Sequence, residues 1–200
     1  MSRKPPQRYH HGDLREALLR EALLMIRESG LDSLSLRQLA QRAGVSASAL
    51  YHHFENKNDL LCALAELGFV TLDKAVQEAA GDTRGCVRDR TLRFVRAYVS
   101  YAADNPEIYE LMFGRTIWKS GKPTESLRTL AYDTFRRYVE FASGFDARVG
   151  RGRKGLRRAQ ARWATVHGLC RLIIDGIYAG DADIEGMTAA AADLLVSERT

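Results

Sequence analysis

Long apolar runs are missing from this chain of 200 residues. No stretch approaches the roughly 18 to 20 uninterrupted apolar residues that a bilayer-spanning helix needs. The N-terminal stretch MSRKPPQRYHHGD also lacks the apolar centre of a secretory signal. Both absences favour a protein that stays in the cytoplasm. Because 46% of the residues are hydrophobic, the chain can nevertheless bury a substantial core.

Cysteine is scarce and irregularly placed. The three cysteines, Cys62, Cys86 and Cys170, are odd in number, widely spaced and free of any CxxC pair. This pattern indicates neither a disulfide framework nor a zinc site. We expect buried or half-buried free thiols, with a redox sensor as the alternative, and we expect no metal and no cofactor.

A recognisable catalytic constellation is also missing. No carboxylate pair, activated nucleophile or metal-ligand spacing stands out. His167 and Asp175 lie two helical turns apart, and Asp181 with Asp183 is better placed to cap the final helix. The residues therefore favour a protein that is not an enzyme, while an enzyme built on a helical scaffold stays open as the alternative.

Strand-like alternation and long internal repeats are absent too, whereas helical periodicity runs through the chain. The sequence predicts an all-α protein of about nine helices. We expect them near residues 14–29, 36–43, 47–54, 57–80, 87–103, 106–113, 124–143, 156–179 and 184–197. The Arg- and Gly-rich segment at residues 145–155 reads as a solvated loop, with nucleic-acid binding as the alternative.

Residues 33–54, SLSLRQLAQRAGVSASALYHHF, predict two short helices joined by a glycine turn. Apolar residues repeat at helical spacing through the first of them, at Leu36, Leu39, Ala40 and Ala43. Ser35 and Gln38 are expected to form a capping box. Gly44 is expected to make the turn, and Ser46 to cap the second helix. Helix, short glycine turn and helix make up the helix-turn-helix motif, whose second helix enters the major groove of DNA.

Acidic residues are missing from this motif, although they are common elsewhere in the chain. No Asp or Glu occurs between Asp32 and Glu55, and the whole chain carries a formal net charge of +5. Arg37 lies in the first turn of the first helix, where a cation opposes the helix dipole and a phosphate would relieve that cost. These features favour a partner that carries phosphates, with a solvated surface arginine as the alternative for Arg37.

From Leu14 to Leu61 the chain resembles the DNA-binding domain of the TetR/AcrR family of bacterial transcriptional regulators. The match lies in GLDSLSLRQLAQRAGVSASALYHHFENKNDLL, and LYHHF followed by Lys57 is among its more specific parts. NPEIYELMFG at residues 105–114 and WATVHG at residues 163–168 resemble the C-terminal domain type of this family that is marked by Trp, His and Gly. The resemblance implies a homodimeric, ligand-responsive repressor that binds a palindromic operator in double-stranded DNA at the bacterial nucleoid and does not contact a membrane.

The resemblance also divides the chain into parts. Residues 1–12 are expected to form a basic flexible arm and residues 13–62 the helix-turn-helix domain. Residues 81–200 would form the effector-binding and dimerisation domain, with the helix at residues 57–80 as the link. The arm either follows DNA or is an inert tail. An architectural DNA-binding protein without an effector is an alternative, but it would need no aromatic-rich second domain.

The family's reading-helix pattern, carried over by position, implies which side chains contact DNA. The residues expected to contact phosphates are Ser35, Arg37, Tyr51, His53 and Lys57. The residues expected to approach base edges in the major groove are Ser46, Ala47, Ser48 and His52. Adjacent histidines point to different sides of a helix, so a metal shared between them is not expected.

Aromatic residues are concentrated between residues 90 and 170, and aromatic side chains commonly line apolar pockets. The candidate pocket residues are Phe94, Tyr98, Tyr101, Phe113, Trp118, Phe135, Tyr138, Trp163 and His167. The alternative is that they fill a helical core. We expect an apolar or aromatic effector to enter among the fourth to eighth helices and to shift the fourth, at residues 57–80. This shift would change the spacing of two DNA-binding domains that must sit one DNA turn, ~34 Å, apart.

The last two predicted helices carry apolar stripes that need a partner. Two helices from each of two protomers can bury these stripes in a four-helix bundle. The candidate interface residues are Val166, Cys170, Ile173, Ile177, Met187, Ala191, Leu194 and Leu195.

Overall fold

The computed structural model describes residues 11–81, 84–143, 152–178 and 182–196, without the side chains of residues 11–13 and 143. Over these residues the chain is all-α, as predicted, and contains no strand. Its helices are α1 (His11–Ser29), α2 (Leu36–Arg42), α3 (Ala47–Tyr51), α4 (Lys57–Gly81), α5 (Val87–Asp104), α6 (Pro106–Phe113), α7 (Glu125–Ser143), α8 (Gly152–Ile174) and α9 (Ile184–Val196). Residues 1–10 of the predicted arm and residues 145–151 of the predicted Arg-rich loop lie outside the described residues. Residues 11 and 12 belong to α1 and residues 152–155 to α8, so the predicted arm and loop are each too long.

Helices α1 to α3 form an N-terminal unit that we call the head. Its core consists of buried apolar side chains from all three helices and from the segment after α3, including Leu18, Ala22, Ile26, Leu39, Leu50 and Phe54. Arg42 at the end of α2 donates to Glu21 of α1 at 2.6 Å and to Glu28 of α1 at 2.5 Å. Its hydrogen bond lowers the pKa of the Glu28 carboxyl. These bonds hold α2 in one orientation on α1.

The two predicted helix caps of the motif differ in the structure. Ser46 Oγ accepts from the Ala49 N–H at 3.1 Å, which confirms it as the cap of α3. Ser35 occupies the cap position of α2, but its hydroxyl accepts no hydrogen bond from that helix, so the predicted capping box with Gln38 is wrong. The Ser35 carbonyl closes the turn instead, by accepting from the Leu39 N–H at 2.9 Å.

Helix α4 connects the head to the rest of the protein. Its 25 residues correspond to a length of ~37 Å. Asn56 caps its start, because its side-chain oxygen accepts from the Asp59 N–H at 3.0 Å. Leu60 and Leu64 are fully buried near that start. One unbroken helix therefore begins next to the head and extends alongside the remaining helices. We call these remaining helices, α5 to α9, the body.

Helix α5 is the centre of the body and packs between α4 and α9. Arg88 of α5 donates to Asp193 of α9 at 2.5 and 2.9 Å, and Arg96 pairs with Glu185 at the other end of α9. The hydrogen bond from Arg88 lowers the pKa of Asp193. Two ion pairs thus fix α9 along α5.

Helices α4 and α6 come into close contact at Gly68. A Cβ atom at this position would lie 2.6 Å from Met112 Sδ and would also collide with Ile108, both of α6. The carbonyl of Gly68 accepts a 3.0 Å hydrogen bond from the buried hydroxyl of Tyr101 on α5. A residue without a side chain is therefore required where α4 meets α6.

Several predicted boundaries move in the structure. Helix α6 has the predicted limits, whereas α8 begins at Gly152 and ends at Ile174, five residues before the predicted end. Gly176 adopts a positive φ of 72° and ends that helix. A π-helical turn at Thr116–Ser120 replaces part of the predicted loop before α7.

The cysteines divide between the interior and the surface. Cys62 and Cys170 are buried, as predicted, but Cys86 is exposed because it lies at the surface end of α5, in the position before its first turn. None of the described helices combines the length and the apolar run that crossing a bilayer requires.

Candidate nucleic-acid interface and internal cavity

The exposed side of α3 and the adjoining turns form the candidate nucleic-acid interface. Gly44 has φ 68°, which lets the chain reverse between α2 and α3. Leu50 and Phe54 anchor α3 from below, because both side chains are buried in the head core. The opposite face of α3 is consequently turned away from the protein.

The structure places most of the predicted DNA-contact residues on that surface. Those exposed to solvent are Arg37, Ser46, Ala47, Ser48, Tyr51 and His52, while Ser35, His53 and Lys57 are half-buried. The exposed fraction of Tyr51 is 53%, although its ring is large and largely apolar. The ring and the hydroxyl of Tyr51 are therefore available to a partner that approaches this face of α3.

Lys57 has an additional role within the head. Its ammonium donates to the carbonyl of Leu31 at 3.2 Å and to that of Asp32 at 3.5 Å. Two of its three N–H donors are therefore used to hold the loop between α1 and α2. One donor is left for a phosphate.

Charge on this surface is positive and only partly compensated. The segment from residue 33 to residue 54 contains no acidic residue. Arg42 is held by Glu21 and Glu28, whereas Arg37 makes no ion pair with any residue that the structure describes. The guanidinium of Arg37 is thus available to an anionic partner.

A second candidate site is an internal cavity of about 370 Å³ between α4, α5, α6, α7 and α8. Its volume is within the range of small-molecule sites. Seven of the predicted pocket residues line it, namely Phe94, Tyr98, Phe113, Trp118, Phe135, Tyr138 and Trp163. The aromatic rings pack on one another, as in the stacked pair Phe94 and Phe141 with centroids 4.9 Å apart.

Two predicted pocket residues, Tyr101 and His167, do not line the cavity. Tyr101 is turned towards α4, where its hydroxyl is bound by the Gly68 carbonyl. His167 lies behind the wall, stacked on Trp163 and on Tyr109, with its Nδ1 2.6 Å from the Tyr109 hydroxyl. Burial and the nearby Arg171 lower the pKa of His167, which favours the neutral ring.

The α4 residues of the cavity wall are not among the predicted pocket residues. Its apolar members are Phe69, Leu72, Val76 and Ala80, and Met112 of α6 and Phe141 of α7 add to the lining. The α4 residues follow one another at i, i+3, i+7 and i+11, which is the spacing of a single helix face. That spacing is the sequence signal from which these lining residues can be predicted.

Charged and polar groups of the lining are paired with each other. Asp73 of α4 bonds to Arg137 of α7 at 3.0 Å and accepts from Gln77 at 2.8 Å. Arg137 also donates to Thr134 Oγ1 at 3.2 Å. The ion pair leaves the lining without uncompensated charge.

The predicted dimer-interface residues divide between inside and outside. Val166, Cys170, Ala191 and Leu195 are buried within the protomer, so they cannot supply an external surface, and that part of the prediction is wrong. Ile173 and Met187 are half-buried, and Ile177 and Leu194 are exposed. The buried apolar stripes of α8 and α9 pack against other helices of the same protomer. Periodicity alone does not distinguish such a stripe from one that packs against a partner protomer.

Large apolar side chains nevertheless remain exposed on α8, α9 and the turn after α8, namely Leu156, Leu172, Ile177 and Leu194. We call Leu172, Ile177 and Leu194 the outer apolar face of α8 and α9. The exposed fractions are 37% for Leu172 and 66% for both Ile177 and Leu194.

Two family models match the chain in the two regions just described. A model of bacterial regulatory proteins of the tetR family matches residues 18–64. A model described as a tetracyclin repressor-like C-terminal domain matches residues 91–195, more than half of the chain.

Individual relatives agree with the family models. The tetracycline repressor protein class C of Escherichia coli is 38% identical over 89 residues, which are 44% of this chain and 40% of that protein. The class D repressor of Escherichia coli is 30% identical over 139 residues, which are 68% of this chain and 57% of that protein. The chain thus matches about half the length of these relatives. A solved structure of a protein with unknown function from Rhodococcus sp. RHA1 is 34% identical with a TM-score of 0.80, covering 96% of this chain and 97% of the other.

A helix-turn-helix head, joined by one continuous helix to a body with a cavity of ligand size, defines a two-domain helical protein of the kind that regulates transcription. With both parts matched by family models, the chain belongs to the TetR family of bacterial transcriptional regulators. The named relatives in this family are regulators and not enzymes, so the alternative of a helical enzyme is set aside.

Proposed function

We propose that this protein is a homodimeric transcriptional repressor that binds a palindromic operator through α3 and leaves it when a small apolar or aromatic molecule occupies the cavity. The observation that carries the proposal is the exposed face of α3, free of acidic residues and presenting Tyr51 to solvent. An architectural DNA-binding role accounts less well for a body with an aromatic-lined cavity.

Contacts to DNA divide by the chemistry of the side chains. Arg37, Tyr51 and the remaining donor of Lys57 suit phosphates, which fix the position of the head on the duplex. Ser48 and His52 suit base edges in the major groove. The unused hydroxyl of Ser35 adds a further phosphate donor at the start of α2.

Dimer formation would use the outer apolar face of α8 and α9 defined above. Two copies of this face related by a two-fold axis would cover Leu172 and Leu194, whose exposure is costly in an isolated protomer. Doubling the reading surface also doubles the number of base contacts, each worth about 1–3 kcal/mol. A palindromic operator is the DNA counterpart of that symmetry.

Release by an effector is supported by two helices that touch both the cavity and the head. Helix α4 lines the cavity with Phe69 and Leu72 and begins at the head. Helix α6 lines it with Met112, while Glu107 in its first turn pairs with Arg27 of α1 at 4.0 Å. Arg27 also donates to Asn105, the residue before α6, at 3.2 Å. An occupant that displaces either helix would change the position of the head, and hence the spacing of the two heads of a dimer.

The proposed DNA contacts are tested with substitutions that separate phosphate binding from base reading. Arg37→Ala is expected to weaken binding to every duplex and to reduce the slope of log K against log salt by about 2 per dimer, because each protomer loses one phosphate contact. Ser48→Ala is expected to change the ranking of duplexes that differ in one base pair. Fluorescence anisotropy over a salt series measures both effects.

The matched control is Arg128→Ala on α7, which removes the same charge from an exposed position in the body. It is expected to leave the salt slope unchanged. Equal losses for Arg37→Ala and Arg128→Ala would contradict a specific phosphate contact at α2. An unchanged ranking in Ser48→Ala would contradict base reading by α3.

A further inference from the structure

The hydroxyl group of Tyr138 distinguishes one side of the cavity from the rest. Tyr138 lies on α7, lines the cavity and has an exposed fraction of only 9%. Its hydroxyl oxygen is buried and has no hydrogen-bond partner among the described residues. Burial raises the pKa of this phenol, so it keeps its proton and remains a donor.

The other polar side chains of the lining already have partners. Tyr98 Oη accepts from the Trp163 N–H at 3.1 Å, and the Trp118 N–H donates to the Met112 carbonyl at 2.6 Å. Asp73, Gln77, Thr134 and Arg137 are bonded to one another. The oxygen of this hydroxyl has almost no accessible surface, so an occupant that bonds to it must shift the Tyr138 ring, and it then breaks no existing hydrogen bond.

The shape and charge of the lining restrict the occupant further. Rings surround Tyr138, with the centroid of Phe94 at 5.7 Å and that of Phe135 at 6.1 Å. Aromatic walls favour flat rings that stack or meet them edge to face. Because Asp73 and Arg137 neutralise each other, no charged group of the lining lacks a partner of opposite charge.

We propose that the occupant is a neutral, flat aromatic molecule with an oxygen acceptor, such as a carbonyl, that accepts a hydrogen bond from Tyr138 Oη. This inference rests on the proposed function, because it assigns the cavity to the effector. An aromatic ring cluster also attracts cations. Here Arg137 opposes a cationic occupant, and the carboxylate of Asp73 is already engaged.

The test uses probes of equal shape. Methyl β-naphthyl ketone and β-isopropenylnaphthalene differ only in that a carbonyl oxygen replaces a methylene group, and β-naphthyltrimethylammonium serves as the cationic probe. Isothermal titration calorimetry is carried out on the full chain and on two variants, Tyr138→Phe and Tyr132→Phe. Tyr132 is the matched control, since it lies on the same helix but is 68% exposed and outside the cavity.

The wild-type protein is expected to bind the ketone about five- to tenfold more tightly than the alkene, which is the effect of one buried hydrogen bond. Tyr138→Phe is expected to abolish that preference while retaining alkene binding, and Tyr132→Phe to leave it unchanged. Thermal unfolding without probe is expected to show no loss of stability in Tyr138→Phe, because the deleted hydroxyl has no partner.

Three results would overturn the inference. These are equal binding of ketone and alkene by the wild type, a preference that survives in Tyr138→Phe, and tighter binding of the cationic probe. Tyr138 also borders a narrow space of about 20 Å³ beside Thr91 and Arg162. If the Tyr138 hydroxyl points into that space and not into the cavity, the wild-type protein will bind the ketone and the alkene equally.

The outcome is separable from that of the proposed function. Calorimetry reports on the cavity whether or not the protein binds DNA. If the ketone binds through Tyr138 but operator affinity is unaffected by saturating ketone, the ligand class stands and effector-driven release fails. If DNA binding is confirmed but neither naphthalene binds, the ligand class fails and the DNA-binding role stands.

Discussion

Tyr101 and Tyr138 illustrate what a single residue type does and does not reveal. Both are tyrosines of amphipathic helices, and the sequence predicts both as pocket residues. In the structure both are buried, but the hydroxyl of Tyr101 bonds to the Gly68 carbonyl, while that of Tyr138 has no partner and its ring lines the cavity. The difference depends on which groups the neighbouring helix places beside each hydroxyl. Residue type and spacing within one helix do not determine this.

Tyr101 also predicts how stability depends on pH. Burial raises its pKa from 10.0 to about 12. The unfolded chain releases this proton near pH 10, while the folded chain retains it until about pH 12. The stabilisation is therefore complete below pH 10 and is lost as the pH rises from 10 to 12. Tyr101→Phe is expected to give a shallower alkaline decline of the urea midpoint.

The exposed Tyr132 again supplies the control. Tyr132→Phe should reproduce the wild-type decline, because that ring is in contact with water in both states. Loss of the hydrogen bond to Gly68 lowers the urea midpoint of Tyr101→Phe at every pH. The quantity to compare is therefore the change of the midpoint with pH and not its absolute value. Parallel alkaline declines for Tyr101→Phe and the wild type would contradict the assignment.

At the level of single elements, local signals set some boundaries and tertiary contacts set others. Helix α6 matches its predicted limits because Asn105 and Pro106 mark its start by backbone geometry alone. Helix α8 ends earlier than predicted, before a glycine with positive φ. The hydroxyl of Ser35 does not form the predicted capping hydrogen bond with α2. The close approach of α4 and α6 at Gly68 has no signal in either helix taken singly.

Replacement of Gly68 tests that approach. Gly68→Ala is expected to destabilise the protein by about 1–2 kcal/mol, because the new methyl group overpacks Ile108 and Met112 by more than the gain in helix propensity can offset. Chemical denaturation measures the change.

Gly81→Ala, at the end of the same helix, is the matched control. Nothing lies within 4 Å of a Cβ atom at that position. This variant is expected to be neutral or more stable by up to about 1 kcal/mol. Similar effects of both substitutions would contradict a steric requirement for glycine at the contact between α4 and α6.

For the whole molecule, the outer apolar face of α8 and α9 predicts the oligomeric state. Leu172→Glu and Leu194→Glu each place a charge where the partner would pack, and both are expected to yield monomers at micromolar concentration in light scattering. Leu24→Glu on α1 is the control, because Leu24 is 46% exposed but belongs to the head. A wild-type monomer, or dimers that persist in both variants, would exclude this face.

The sequence was sufficient for the all-α fold, the helix-turn-helix head and the aromatic character of the body. These follow from local periodicity, glycine turns and composition, which act within one element. It was insufficient for the α4 residues that line the cavity and for the direction in which Val166 and Cys170 face. Both depend on which helices pack together, and a single apolar stripe fits a protomer core as well as a partner.

The central claim, that two identical heads read DNA together, is tested most directly by selecting bound fragments from a random duplex pool with the wild-type protein and sequencing them. The account predicts enrichment of an inverted repeat whose half-site centres lie about one helical turn, ~34 Å, apart. Enrichment of a single unrepeated half-site, or of no sequence at all, would contradict it.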